Sequence, residues 1–282
     1  FRSAKELEQY LLQSLNMALG SMMQGETSYT NSFTCKVTEE GFYFLPRLPA
    51  GYIVDDDLYQ KIFLIASAAL YPKFTLLKQN SAYFVPMDTD DIHTQRALFF
   101  PWQQGISERL VISDLDRFTS SLTNQQIPIM KQLTLNYQNI TSIAIAGNSG
   151  SGKSYMLTYL LSVLKPISEL IIVDPKFDTP SRWARIHDIT VIHPHQNRSK
   201  SDFLSEINEN LSHCLQVIQQ RQTILYDDPD YQFDHLTIVI DEVLALAEGV
   251  NKTIKDAFFS LLSQIALLGR ATKVHLLLVS RR

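Results

Sequence analysis

The chain has 282 residues, 45% of them hydrophobic, a net charge of −4 and a pI near 6.0. That is enough apolar material for one large core or two domains. Residues 1–130 carry 10 basic and 14 acidic groups and residues 131–282 carry 15 of each, which excludes the basic slab of a strong monomeric nucleic-acid binder.

Residues 3–19 place Leu7, Leu11, Leu12, Leu15 and Leu19 at helical spacing, and 25–32 reads as a polar loop. Residues 33–37 and 41–45 predict a hairpin around Glu39-Glu40. Asp55-Asp56-Asp57 caps and charge-stabilises a helix running to about Tyr71, in preference to an interaction role. Residues 73–78 and 82–86 flank Gln79-Asn80-Ser81 and predict a second hairpin. Residues 88–105 contain Pro101 and Gly105 and read as irregular, with one more strand expected at 109–112. Phe99, Phe100 and Trp102 are expected in the core rather than as a stacking platform. Residues 1–126 thus form a small α+β module, and the polar stretch 119–126 is the expected boundary.

From Ile127 the pattern changes. Apolar runs at 142–146, 170–174, 189–193, 236–240 and 274–279 alternate with helical patterns near 153–164, 202–225 and 251–269. This predicts an α/β domain over 127–282, a parallel sheet flanked by helices. Cys35 and Cys214 lie far apart with no metal spacing, so reduced thiols and a cytoplasmic setting are expected. His193-Pro194-His195 lacks a third ligand and reads as ordinary loop. No run of about 18 apolar residues occurs. The ends of the sequence read as those of a fragment, so membrane association is expected only through segments outside it.

The most specific stretch is Gly147-Asn148-Ser149-Gly150-Ser151-Gly152-Lys153-Ser154, which fits G-x-x-x-x-G-K-[ST] between a predicted strand and a helix beginning near Tyr155. Such a P-loop curls its N–H groups around an anion at a helix N-terminus. Lys153 is placed to reach the β- and γ-phosphates of ATP and Ser154 to ligate Mg²⁺. Downstream, the apolar run 236–240 ends in Asp241-Glu242. An acid at such a strand end holds Mg²⁺, and the adjoining Glu242 is placed to activate water, which argues hydrolysis.

With these in place, Ile171-Ile172-Val173-Asp174-Pro175-Lys176 resembles the I-D-P-K segment of the FtsK/SpoIIIE branch of the FtsK–HerA DNA-pumping ATPases. Ile240-Asp241-Glu242 is similar to the family's I-D-E. Gly269-Arg270-Ala271-Thr272-Lys273-Val274-His275-Leu276 resembles its R-A-x-x-I-H-L stretch, and Leu278-Val279-Ser280-Arg281-Arg282 its L-A-T-Q-R strand end. The match covers about 127–282. It implies a RecA-like P-loop NTPase working as a homohexamer that threads single- or double-stranded DNA through a pore. It also implies a trans arginine finger, for which Arg270 is the candidate; the other reading of Arg270 is a cation at a helix C-terminus. By position Ser280 would sense the γ-phosphate. Arg281 replaces the family's Gln, a departure that bears on that sensing. The departure and the divergent first module favour a coupling ATPase of a conjugative mobile element, working with a relaxase or transfer-channel protein, over a chromosome-segregation pump. A secretion-type ATPase with protein cargo and a nucleotide-gated adaptor are the rivals. Lys252, Lys255 and Lys273 read first as solvated charges, with a pore-facing role as the alternative.

Overall fold

The computed structural model describes residues 3–22 and 32–281. Most of the loop expected at 25–32 therefore lies outside the described residues. The chain divides into two compact units, 1–108 and 109–282.

In the first unit, helix α1 (Ala4–Met22) and helix α2 (Asp56–Leu70) pack on an antiparallel sheet. Leu7, Leu11, Leu15 and Leu19 recur at helical spacing and are all buried, each worth roughly 1.5–3 kcal/mol. Asp55 caps α2 as expected, accepting a hydrogen bond from the Leu58 N–H at 3.0 Å. Strands β1 (Phe33–Val37) and β2 (Gly41–Pro46) form the expected hairpin, with Val37 opposite Phe42.

Two expectations fail here for one reason. Residues 96–104, expected to be irregular, form the nine-residue strand β5 (Arg96–Gln104), the strand on which the rest of the sheet is built. Pro101 lacks an N–H, but its carbonyl accepts from Leu77 N–H at 2.8 Å, so it sits in a ladder without an unpaired donor. The predicted second hairpin does not form. Strand β3 (Phe74–Leu76) pairs with the end of β5, from Gln104 to Trp102, and strand β4 (Phe84–Pro86) with its start, from Leu98 to Arg96. Both lie antiparallel to β5, end to end rather than side by side, because β5 offers each a partner that the sequence between them does not reveal. Phe100 and Trp102 are core residues, and Phe99 packs on Tyr43 with ring centroids 4.7 Å apart.

The second unit begins earlier than the expected boundary near 126. Residues 119–126 are not a linker: helix α3 (Leu115–Ser120) packs on the α/β core, with Phe118 and Tyr159 rings 6.3 Å apart. Residues 109–112 form no strand, only an isolated bridge from Arg109 to Met130. An antiparallel pair follows, β6 (Gln126–Met130) with β7 (Leu133–Asn136). The main sheet is parallel: β8 (Ser142–Ala146), β9 (Ser168–Val173), β10 (Val191–Ile192), β11 (His235–Ile240) and β12 (Val274–Ser280), in the order β10-β9-β11-β12-β8. Helix α4 (Lys153–Leu164) and helix α5 (Thr179–Ile186) cover one face. Helix α6 (Lys200–Asp227) and helix α7 (Lys252–Thr272) cover the other. All six residues of β11 are buried, as a strand covered on both faces requires. Its side chains alternate between the two cores, Leu236, Ile238 and Ile240 facing α6 and α7, Val239 facing α4.

At the amino ends of the strands the core turns polar. His235 Nδ1 lies 2.7 Å from His275 Nε2, and His275 Nδ1 lies 3.2 Å from the Thr141 carbonyl. Since a carbonyl only accepts, His275 carries its proton on Nδ1 and His235 donates from Nδ1. Tyr137 packs on both rings and pairs through its hydroxyl with Thr237. Burial, reinforced by Lys273 and Arg221 at His235 and by His235 itself at His275, pushes both imidazoles down to about 4.

Candidate functional site

The loop 147–152 joins β8 to α4. Gly150 and Gly152 have φ of +79° and +93°, a backbone that side chains with a Cβ rarely adopt, so both glycines are needed for the curl. Lys153 opens α4 and its Nζ donates to the carbonyls of Gly147 and Asn148 at 2.6 and 2.8 Å. The lysine head thus lies over the loop, where a bound anion would meet it.

Strand order fixes what faces this loop. β12 lies between β8 and β11, with Ser280 opposite Ala146 and Leu278 opposite Ile240. All strands are parallel, so their carboxyl ends share an edge, where ligands of open α/β sheets collect. A parallel sheet with a phosphate loop on one strand, acids on the next but one, and helices on both faces decides the architecture. This is the phosphate-loop NTPase fold. A cleft of about 70 Å³ at that edge is lined by Lys153, Ser154, Lys176, Asp178, Thr179, Asp241 and Glu242, among others.

Asp241 directly follows β11, its N–H donating to the Val173 carbonyl at 3.0 Å. Its carboxylate accepts from the Glu242 N–H at 3.0 Å. Burial first, then the charges of Asp174 and Glu242, raise its pKa to about 6. Glu242 has φ of +50°, a left-handed backbone that costs on the order of 1 kcal/mol for a non-glycine residue. The next residue holds it there, because the Val243 N–H donates to Val279 at 3.0 Å. Glu242 Oε1 accepts from Lys176 Nζ at 2.5 Å and pairs with Arg281 Nε at 3.3 Å. Burial works to raise the Glu242 pKa, but the hydrogen bond and charge of Lys176, joined by Arg281, outweigh it and hold it below the ordinary value.

Asp174 does not line the cleft. It is fully buried at the end of β9 and accepts four hydrogen bonds: from the N–H groups of Lys176 (3.1 Å), Asp178 (2.8 Å) and Ser181 (3.2 Å), and from Ser181 Oγ (2.6 Å). Asp178 and Ser181 belong to the start of α5, whose own N-cap residue Asp178 makes no side-chain cap. The carboxylate therefore caps α5 from outside the helix and aims the 175–178 turn so that Lys176 reaches Glu242.

The structure brings together Lys153, Ser154, Lys176, Asp241 and Glu242 around one cleft, with Arg281 paired to Glu242; Gly147 and Asn148 touch this group through the Lys153 head. Ser280 stands at the end of β12, its Oγ donating to the Arg281 carbonyl at 2.8 Å. Tyr155 projects into solvent from the first turn of α4. Arg270 is exposed in the last turn of α7, which leads into the amino end of β12, so it does not join the cleft of its own chain. Lys273 donates to the Gln138 carbonyl at 2.9 Å. Sequence reasoning missed Asp178 and Thr179; the signal was Asp178-Thr179-Pro180, a polar residue before a proline-bearing first turn.

The oxygen donors present fit magnesium. A serine hydroxyl and a strand-end carboxylate line one cleft, and a carboxylate raised to about 6 by burial and neighbouring acids is one that a hard divalent cation would stabilise.

No protein-family model matches the sequence, and no curated protein matches it. Among solved structures, the pCW3 conjugation coupling protein TcpA, in its monomer form with ATPγS, is 14% identical over 96% of this chain and 77% of its own, with a TM-score of 0.49. The cytoplasmic domain of the type VII secretion ATPase EccC of Thermomonospora curvata is 16% identical over 58% of this chain and 20% of its own, with a TM-score of 0.40. EssC (ATPases 2 and 3) from Geobacillus thermodenitrificans is 15% identical over 62% of this chain and 35% of its own, with a TM-score of 0.42. The chain spans well under half the length of the latter two.

Proposed function

We propose that the chain hydrolyses ATP and is the motor domain of an FtsK–HerA-class DNA translocase, of the kind that couples DNA to conjugative transfer. The observation that carries the hydrolytic reading is that Lys153 and Ser154, which close the phosphate-loop motif, line one cleft with the Asp241-Glu242 pair. Lys153 and the loop N–H groups hold the triphosphate; Ser154 and Asp241 hold the magnesium ion, which when bound screens charge on the phosphates. Glu242 accepts a proton from the attacking water once Lys176 and Arg281 turn from its carboxylate to the incoming phosphate oxygens. The DNA-pumping reading rests on the order of the four motifs in the sequence. A homohexamer with Arg270 reaching a neighbour's nucleotide, DNA in the pore, a relaxase or transfer-channel protein as partner, and a cytoplasmic position at the inner face of a membrane belong to the same proposal. No helix among the described residues is long and apolar enough to cross a membrane.

The test is ATP turnover across protein concentration, with single- and double-stranded DNA added. Turnover should rise with concentration and with DNA, and Glu242→Gln should lower it by about 10²–10⁴-fold. Turnover in Glu242→Gln equal to that of the unaltered chain would remove Glu242 as the base. Turnover indifferent to DNA would favour a secretion-type ATPase.

A further inference from the structure

Two cations hold Glu242, and only one of them faces the phosphate cleft. Lys176 Nζ and Arg281 Nε both contact Glu242 Oε1, at 2.5 and 3.3 Å, but Lys176 lines the cleft and Arg281 does not. The backbone of Lys176 is fixed, because its N–H donates to the buried Asp174 carboxylate at 3.1 Å. Its head is freer. The side chain is 46% exposed, against 11% for Glu242, so the ammonium can change partners while the turn that carries it stays in place. Lys153 enters the same cleft from α4, its ammonium held over the loop by the Gly147 and Asn148 carbonyls. Ser280, whose place in the sequence suggests a γ-phosphate sensor, does not line the cleft; its hydroxyl donates to the Arg281 carbonyl at 2.8 Å.

We infer that Lys176 is the residue by which this site tells a nucleoside triphosphate from a diphosphate. The inference rests on the proposed nucleotide at the loop and adds a specificity to it. A diphosphate ends on the loop N–H groups and Lys153, a set that is complete without Lys176. A third phosphate has to lie beyond the loop, in the cleft that Lys153 and Ser154 share with Lys176, Asp241 and Glu242. There it brings three acceptor oxygens and further negative charge beside acids. The lining holds three carboxylates, Asp178, Asp241 and Glu242, and two ammonium groups, and Asp178 is already paired with Arg182. Mg²⁺, when bound, offsets part of the negative charge. Lys176 is the cleft cation that remains to meet the rest. Its ammonium is a compact charge with three rotatable donors. Glu242 now offers it one oxygen, and the terminal phosphate offers three. The head therefore leaves Glu242 for a third phosphate and stays with Glu242 when only two are bound.

The experiment compares, by calorimetry, the Mg²⁺ complexes of ADP and of the uncleavable β,γ-imido analogue of ATP. Both are titrated into the unaltered chain and into Lys176→Met, Lys176→Arg, Glu242→Gln and Ser280→Ala. Methionine keeps the aliphatic stem and removes the charge. Lys176→Met should weaken the analogue about tenfold, the size of a charge-assisted hydrogen bond net of the pair given up, and leave ADP unchanged. Lys176→Arg, which restores a cation, should keep most of the preference for the analogue. Glu242→Gln, in which the ammonium has no carboxylate to leave, should bind the analogue more tightly and ADP as before. Equal weakening of both nucleotides in Lys176→Met would reduce Lys176 to a structural role. No weakening of either, or an analogue bound no more tightly in Glu242→Gln, would overturn the exchange. A preference lost in Ser280→Ala but kept in Lys176→Met would return the role to Ser280. Binding is the readout throughout, so the result stands apart from whether Glu242 proves to be the base. If neither nucleotide binds the unaltered chain, the phosphate-loop reading falls, and this one with it.

Discussion

Removing the Asp174 carboxylate tests how the cleft is assembled. In Asp174→Ala three backbone N–H groups and one hydroxyl lose a charged acceptor at a position with no solvent exposure. Hydrogen bonds to charged groups are worth about 1.5–3 kcal/mol each. Two terms reduce the sum. The cost of burying the charge disappears, and Ser181 Oγ can turn to another acceptor. A net loss of about 3 kcal/mol is expected, close to that of breaking a buried charged pair. Asp174→Asn should cost less, about 1–2 kcal/mol: its oxygen can keep the three bonds to Asp178 and Ser181, but its amide then faces the Lys176 N–H, donor against donor. The chain contains two tryptophans, Trp102 in the first unit and Trp183 on α5. In a Trp102→Phe background Trp183 becomes the single tryptophan reporter, seated on the helix that Asp174 caps. Urea titrations read at Trp183 should shift to lower midpoints in the order Asn, then Ala. A shift in Asp174→Ala below about 0.5 kcal/mol would refute the capping argument, and with it the account of how Lys176 reaches Glu242.

Two further outcomes follow from the opposite edge of the sheet. A Cβ at Gly269 would sit 2.1 Å from the Val274 carbonyl oxygen, a backbone atom, so Gly269→Ala should lower stability by about 2 kcal/mol or more, read as a lower thermal midpoint; an unchanged midpoint would contradict the close approach of α7 and β12. The His235–His275 pair makes the second unit acid-sensitive. Both folded pKa values lie near 4, below the usual 6.5, so the unfolded chain binds protons first as pH falls. Stability is full above about pH 6.5 and declines towards pH 4, by roughly 3 kcal/mol for each ring at most and less than the sum for the pair. His275→Gln should flatten that decline, and an equally steep profile in the variant would exclude the pair as its source.

The phosphate loop and the acid pair were legible in the sequence because their chemistry is local: a run of eight residues, and two acids closing an apolar strand. The parallel strands showed for a similar reason, since a strand buried on both faces has to be apolar throughout. What was not legible depends on partners distant in the chain. β5 hid behind Pro101, a breaker in isolation and harmless where only its carbonyl is needed. The strands flanking 79–81 looked like a hairpin because nothing local says that both prefer β5. α5 escaped notice because eight residues containing Pro180 give too short a period. The Lys176–Glu242 contact joins residues 66 apart. The motif supplied Asp174 and Lys176 as letters; only the fold divides them into a hidden cap and a cleft cation.

β8 stands at the end of the sheet order, so among the described residues the strand bearing the phosphate loop is anchored through one ladder, the five rungs from Leu276–Ser142 to Ser280–Ala146. A tug on that loop has one lateral route into the sheet. Pulled lengthwise, the rungs share the load; pried sideways, they break in succession. Either way the strain passes first to β12, whose tip leads into the guanidinium that grips Glu242. β12 is thus the one strand that stands between the loop-bearing strand and the acids at the end of β11, and its tip runs on into the arginine that pairs with Glu242.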